Sequence, residues 1–357
     1  MSRVRPSPPK NARAARSTPY RLLGDFGGTN LRLALQSRGA AIRVRRYAAA
    51  DFDGAEAALQ HYFRDIGLRA EARPRAAAFA IAGPVVGQRI RMTNLPWSIS
   101  LPALKRAFGF DSLLAVNDFA AVAESLPHLG PADLRKIGGG KPARGMPLVA
   151  LGPGTGLGVA ALIPLAAHPG EWQAVATEGG HATLSPVDAA EDELLSALRR
   201  RFGHVSAERV ISGQGLENLY SALAESRGAQ ARTVRAADVT RRAARGEVLA
   251  REAVRQFCAL LGSVAGNLAL SYGARGGVYL AGGIVGRLGP LFDAELFRER
   301  FAAKGRYRGY LSAIPTYLVT HKLPAFVGLA AALDRAADSD KTRRSAPSAR
   351  STATRSA

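Results

Sequence analysis

A chain of 357 residues, 47% of them hydrophobic, is long enough to bury two ordinary cores, and its single cysteine, Cys258, excludes an internal disulfide or a thiolate zinc cluster. The formal charge of +21 raises a nucleic-acid reading, but residues 1–21 hold six cations and no acid, and residues 335–357 hold six cations against Asp338 and Asp340. About half of the excess therefore lies at the two ends, and the body lacks the aromatic and basic interleaving of single-strand binders, so no specific nucleic-acid partner is expected.

Residues 1–20 are basic and Pro-rich without the apolar run of a secretory signal, and read as a disordered tail. The first ordered stretch, LLGDFGGTNLRLAL, is an apolar strand that breaks at Asp25, Gly27, Gly28 and Thr29 and resumes apolar alternation at once. Its spacing predicts two strands around a tight turn, with IRVRRYA, AAAFAIAG and RIRMTN as further strands. GAEAALQHYFRDIG and LPALKRAFG read as helices between them. In LLAVNDFAAVAESL a buried strand runs into Asn117 and Asp118 and then a helix, which puts Asp118 at a helix N-terminus. There it is either a plain N-cap or a carboxylate, kept ionised by the helix dipole, that accepts a hydroxyl proton.

KIGGGKPARGMP reads as a flexible excursion. The next stretch, LVALGPGTGLGVAALIP, repeats the opening design of strand, glycine-rich turn with a central Thr, and strand. No helix follows either turn, so neither a Walker loop nor a dinucleotide fingerprint fits. Such hairpins are either plain tight turns or, facing each other, could grip one polyphosphate through backbone N–H groups, with Asp25 holding a hydrated Mg2+ and Thr29 and Thr155 offering hydroxyls. TEGGHATLSP places Glu178 and His181 on a bent loop, a pair suited to vicinal sugar hydroxyls. HVSAERVISG adds Glu208, which is either a third such group or a solvent-facing helix residue.

AAEDELLSALRRRFG reads as a helix, and REAVRQFCALLGSVAGNLALSYG as a long buried one whose Gly262 and Gly266 share a face and would admit another element. No membrane association is expected. GGVYLAGGIVGRL runs a buried strand into Gly282 and Gly283, either a ligand-hugging turn or a close packing turn. KLPAFVGLAAALDRA is a closing helix expected to return to the N-terminal domain. Strands alternating with helices and hairpins predict an α/β chain with mixed sheets.

In order, GDFGGTN, TNLPW, VNDFAAVA, GPGTGLGVA, EGGH, HVSAERVISG, GLENLY and VYLAGGIVGR resemble the bacterial ATP-dependent glucokinase family, within the actin, hexokinase and Hsp70 superfamily. The resemblance covers roughly residues 20–334. It implies two ribonuclease-H-like α/β domains with a cleft between them: a small one over 21–128 rejoined by 320–334, and a large one over 129–319, with a basic tail over 335–357. It implies transfer of the ATP γ-phosphoryl group to the 6-hydroxyl of glucose, with Asp118 as base and closure of the domains on the sugar. Asn94, Asn117, Asp118, Glu178, His181 and Glu208 correspond to sugar-holding residues. Asp25, Gly27, Gly28, Thr29, Asn30, Gly154, Thr155, Gly156, Gly282 and Gly283 correspond to the nucleotide side, with Asp25 belonging to magnesium through water. A single cysteine points to a reducing compartment, with the cytoplasm as the default location, and a homodimer is what the resemblance suggests. A sugar-responsive repressor on a similar fold would need a helix-turn-helix and a Cys-rich zinc site, which a Pro-rich N-terminus and one cysteine do not supply. Use of polyphosphate or ADP, or of another hexose, is the third reading.

Overall fold

The computed structural model describes residues 19–92, 95–168, 170–229 and 234–345. Its first half runs β1 (Arg21–Phe26), β2 (Asn30–Ser37), β3 (Ala40–Ala48), α1 (Ala55–Asp65), β4 (Ala76–Ile81), β5 (Arg89–Arg91), β6 (Ser98–Ser100), α2 (Leu101–Phe108), β7 (Ser112–Asn117) and α3 (Asp118–Ser125). Then come β8 (Leu134–Gly138), β9 (Leu148–Pro153), β10 (Leu157–Pro164), β11 (Trp172–Thr177), α4 (Ala189–Phe202), α5 (Gly213–Ser226), α6 (Ala236–Ala244) and α7 (Val248–Tyr272). The chain closes through β12 (Gly277–Leu280), α8 (Gly283–Leu288), α9 (Ala294–Ala302), α10 (Arg308–Ala313), β13 (Thr316–Val319) and α11 (Pro324–Ser345).

Two sheets repeat one plan. The first has the order β3-β2-β1-β4-β7, and the second the order β11-β10-β9-β12-β13 with β8 added at its edge. In each, a three-stranded antiparallel meander leads into parallel strands, β1-β4-β7 in one and β9-β12-β13 in the other. The parallel strands AAAFAI and GVYL are apolar runs because both of their faces are covered. The edge strand β3 carries Arg43, Arg45 and Arg46 toward solvent, which discourages further pairing.

Three apolar cores follow from this plan. α1 and α2 cover the outer face of the first sheet, and α4 to α9 cover the outer face of the second. The third core lies between the sheets, where Ala121, Val122, Phe326 and Leu329 of α3 and α11 meet Leu23 and Ala78 from one sheet and Ala150 and Ala160 from the other. α11 thus returns to pack against α3, β4 and β1. The chain passes between the sheets twice, and the two passages are tied together: the N–H groups of Thr320 and His321 both donate to the Asp133 carbonyl, at 2.7 and 3.3 Å.

Some expectations change. KIGGG is not a free excursion, because its first residues form β8 and the Gly140 N–H donates to the Ala313 carbonyl at 3.1 Å. The last helix continues to Ser345, past the boundary at 334 where a tail was expected. Residues 1–18 and 346–357, the remainder of both expected tails, lie outside the described residues. The helix α7 is long and apolar enough to cross a membrane by composition, yet 72% of that span is buried inside the fold.

Gly262 and Gly266 do share a face, and α9 crosses it: a Cβ on Gly262 would stand 2.3 Å from the Phe297 carbonyl oxygen, and one on Gly266 would stand 2.4 Å from that of Phe301. Alanine is favoured over glycine inside a helix by about 1 kcal/mol. A methyl forced into a backbone contact costs about 1–3 kcal/mol. Gly262→Ala should therefore lower the unfolding midpoint in urea, whereas Gly286→Ala on α8, where a Cβ meets nothing within 4 Å, should leave it unchanged or raise it.

Candidate active site

The two glycine turns face one cleft. The first follows β1, and the Gly27 N–H donates to the Asn30 carbonyl at 3.0 Å; the second joins β9 to β10, and the Gly154 N–H donates to the Gly156 carbonyl at 2.8 Å. Gly27, Gly28, Gly154, Thr155 and Gly156 line a cavity of about 230 Å3 together with Asn117, Asp118, Glu178, His181 and Glu208. A neighbouring cavity of about 290 Å3 is lined by Asp25, Arg32, Asp118, Gly282, Gly283 and Lys322, among others. Asp118 and Phe119 belong to both.

The strand-to-helix junction at 117–118 explains how the carboxylate is freed. Asn117 is the cap: its Oδ1 accepts from the N–H groups of Phe119 and Ala120, both at 3.0 Å, and its Nδ2 donates to the Gly83 carbonyl at 3.2 Å. Asp118 is the first helical residue, and the Phe119 N–H donates to its Oδ1 at 2.9 Å. The helix dipole favours the ionised form. Burial outweighs it, and with the charges of Asp25 and Glu178 nearby the Asp118 carboxyl is pushed up to about 7.

Asp25 sits directly opposite Arg32 in the β1–β2 register, and the Arg32 Nη1 lies 3.3 Å from its Oδ2. Burial raises the Asp25 carboxyl above the ordinary range, and the guanidinium opposes that rise. Glu208 lies on a short turn, Ala207–Arg209, rather than on a solvent-facing helix. Its Oε2 accepts from the Leu157 N–H at 2.8 Å and stands 4.0 Å from His181 Nε2. Gly156 is required for this approach, since a Cβ there would lie 2.4 Å from the same oxygen. One hydrogen bond thus joins the Glu208 carboxylate to the second glycine hairpin.

Most of the expected residues converge, with three exceptions. Thr29 is exposed, and neither Thr29 nor Asn30 lines either cavity; the Asn30 Oδ1 accepts from Arg46 Nε at 3.1 Å. Asn94 lies outside the described residues. Arg32, Phe119 and Lys322 carry no motif that singles them out in the sequence. Arg32 is nonetheless within reach of it, because a short turn after Phe26 pairs Asp25 with the residue seven positions on. A further cavity, about 720 Å3, lies elsewhere, behind the two passages between the sheets. Its carboxylates are already engaged, Asp133 by the Gly130 N–H and Asp334 by Arg21.

A match to the glucokinase family model extends over residues 22–336. The chain is 49% identical over 311 residues to the glucokinase of Paramagnetospirillum magneticum, covering 87% of this chain and 96% of that protein. It is 48% identical over 315 residues, 88% of its own length, to the bifunctional protein glk of Burkholderia pseudomallei, of which it spans about half, 48%. Among solved structures it superposes on a glucokinase from an Antarctic psychrotroph with a TM-score of 0.77 at 35% identity, covering 89% of this chain and 99% of that one. Cleft, sheet plan and sequence agree that the chain belongs to the glucokinase family, a family of ATP-dependent hexose kinases.

Proposed function

We propose that this chain transfers the γ-phosphoryl group of ATP to the 6-hydroxyl of glucose, giving glucose 6-phosphate and ADP, with Asp118 as the general base. The observation that carries the proposal is the position of Asp118 at the junction of two cavities, one edged by sugar-type partners and the other by the AGG turn and Asp25. On this reading Asn117, Glu178, His181 and Glu208 face the sugar, and Asp118 accepts the proton of the hydroxyl that attacks phosphorus. The backbone N–H groups of the glycine turns lie against the phosphate oxygens, where charge develops during transfer.

Asp25 and Asp118 also suit a divalent cation. Two desolvated carboxylates share one cavity, each raised by burial and Asp118 further by the charge of Asp25, and a cation relieves both. Mg2+ is commonly held by one or two carboxylates, substrate phosphates and its own waters. Among the described residues no group of three or more His, Cys, Asp or Glu could hold a metal, so Asp25 would hold it through water, beside the phosphates. When bound, it supplies charge neutralisation to the transferring phosphoryl group.

A small lobe of residues 21–128 with 320–334, and a large lobe of 129–319, would close on the sugar about the two tied passages near Asp133 and Thr320. Closure excludes water, which would otherwise compete for the phosphoryl group. The direct test crosses ATP, ADP and polyphosphate with glucose, mannose, fructose and N-acetylglucosamine in a coupled assay; failure of ATP with glucose to give the fastest turnover would overturn the substrate assignment.

Asp118→Asn should lower kcat by about 100-fold to 10,000-fold while glucose binding and the circular dichroism spectrum persist. The base must be unprotonated to act, so kcat/KM for glucose should fall on the acid side, at a pH below about 7 once a bound cation relieves the carboxyl, and this limb should vanish in the variant. Stability should move the opposite way. A carboxyl raised in the folded state binds its proton more tightly there than in the unfolded chain, so its contribution is full below the ordinary pKa of 3.8 and is lost as pH rises through about 7. Denaturation midpoints of the ligand-free protein at pH 8 should therefore be higher for Asp118→Asn than for the parent.

A further inference from the structure

Phe119, the residue after the proposed base, places its ring in a slot in the second sheet. Gly152 on β9 and Gly158 on β10 stand directly opposite each other in the antiparallel register. A Cβ built on Gly158 would lie 1.8 Å from Phe119 Cδ2 and 2.1 Å from Cε2; one on Gly152 would meet the Ala281 carbonyl oxygen first, at 1.9 Å, and Phe119 Cζ at 2.6 Å. Two facing glycines thus leave a gap in the surface of the sheet, and the ring bridges it from one strand to the other. Only the Pro153–Leu157 pair separates this slot from the 154–156 turn.

The same residue is bound into the first turn of α3. Its N–H is shared by the Asn117 carboxamide oxygen and the Asp118 carboxylate, so ring, cap and carboxylate move together. Glycine weakens a strand interior; Gly152 also admits the Ala281 carbonyl, whereas at Gly158 the nearest atoms are all of the Phe119 ring, so that the ring is what uses the space there. Packing alone would not select this arrangement, because Phe119 is only partly buried and looks into both cavities.

We propose that Phe119 is a positioning residue for phosphoryl transfer: its ring, keyed into the Gly152–Gly158 slot, sets the distance between the Asp118 carboxylate and the phosphate-side turn. The inference rests on the reading of Asp118 as the base. A displacement of about 1 Å in a reacting geometry can cost on the order of 100-fold in rate. The slot is the contact that prevents such a displacement, since it joins the helix carrying the base to the hairpin facing the phosphates.

The test uses the full chain and five variants: Phe119→Leu, Phe119→Ala, Gly158→Ala, the double variant Phe119→Ala with Gly158→Ala, and Asp118→Asn. Phe119→Leu keeps an apolar side chain and should fold with a glucose dissociation constant, measured by calorimetry, within about threefold of the parent, while kcat falls about 10-fold to 100-fold. Gly158→Ala drives the ring from the slot and should give a similar loss from the opposite side. Because both changes break one contact, the double variant should be no slower than the slower single variant, whereas independent effects multiply. Multiplying losses, or Phe119 variants that keep kcat within about twofold while Asp118→Asn is inactive, would overturn the positioning role and leave the base in place. Normal turnover in Asp118→Asn would instead remove the reading beneath it.

Discussion

The helix α3 is held from three sides at once, and the cleft takes its shape from that constraint. Its first turn is capped by Asn117, whose other amide group ties it to the Gly83 carbonyl on the first-sheet side. One flank rests on β9, β10 and β11 of the second sheet, and another is pressed by α11. Small residues make this possible: Ala120, Ala121 and Ala123 present little bulk, and Gly328 of α11 comes so near that a Cβ there would stand 1.8 Å from the Ala121 carbonyl oxygen. A single charged pair adds to the apolar contact, with Arg335 Nη2 on α11 at 2.6 Å from Glu124 Oε1 on α3. A carboxylate at the start of such a helix has little freedom to wander.

The glycine-rich stretches divide their labour. Gly27, Gly28, Gly154 and Gly156 line the cavity with backbone that no Cβ covers. Others serve packing. Gly180 sits under the Leu157 carbonyl, where a Cβ would come within 2.1 Å, and Gly282, at φ +107°, turns the chain against the Pro153 carbonyl. Of the two readings open for the AGG turn, close packing is met, since the turn abuts β9, and the same turn also lines a cavity. Sequence motifs rich in glycine look uniform, but the reason for each glycine lies in what stands opposite it.

The same distinction, between local pattern and what stands opposite, separates the legible parts of this fold from the rest. Both hairpins are legible, since apolar alternation on either side of a glycine turn leaves few alternatives, and so are the long helices with their 3.6-residue stripes. β8, β11 and β13 are not. WQAVAT and LRKIG lie at sheet edges with much of their surface exposed, and TYLV is only four residues long, so none carries a strong periodic signal. Asp118, Glu178, His181 and Glu208 can be named from motif context, yet that Glu208 anchors the hairpin through Leu157 depends on a contact between residues 51 positions apart. The expectation that a helix terminus keeps Asp118 fully ionised fails for the same reason: the dipole is local and visible in sequence, whereas burial and the approach of Asp25 and Glu178 are not.

The clustering of acids in a strongly basic chain follows from this electrostatic contest. A carboxylate raised from 3.8 to about 7 is a better proton acceptor by on the order of 4 kcal/mol, and the fold carries that same amount as a destabilising charge when no ligand is present. Arg32 limits the cost at Asp25, but Asp118 has no cation in direct contact among the described residues. The asymmetry fits the proposed roles of the two acids. Pairing Asp118 with an arginine would lower its pKa and remove its affinity for a proton, while leaving Asp25 unpaired would load two uncompensated charges into one cavity. One acid held by a guanidinium and the other raised by burial is the arrangement that the proposed role of Asp118 as a base requires.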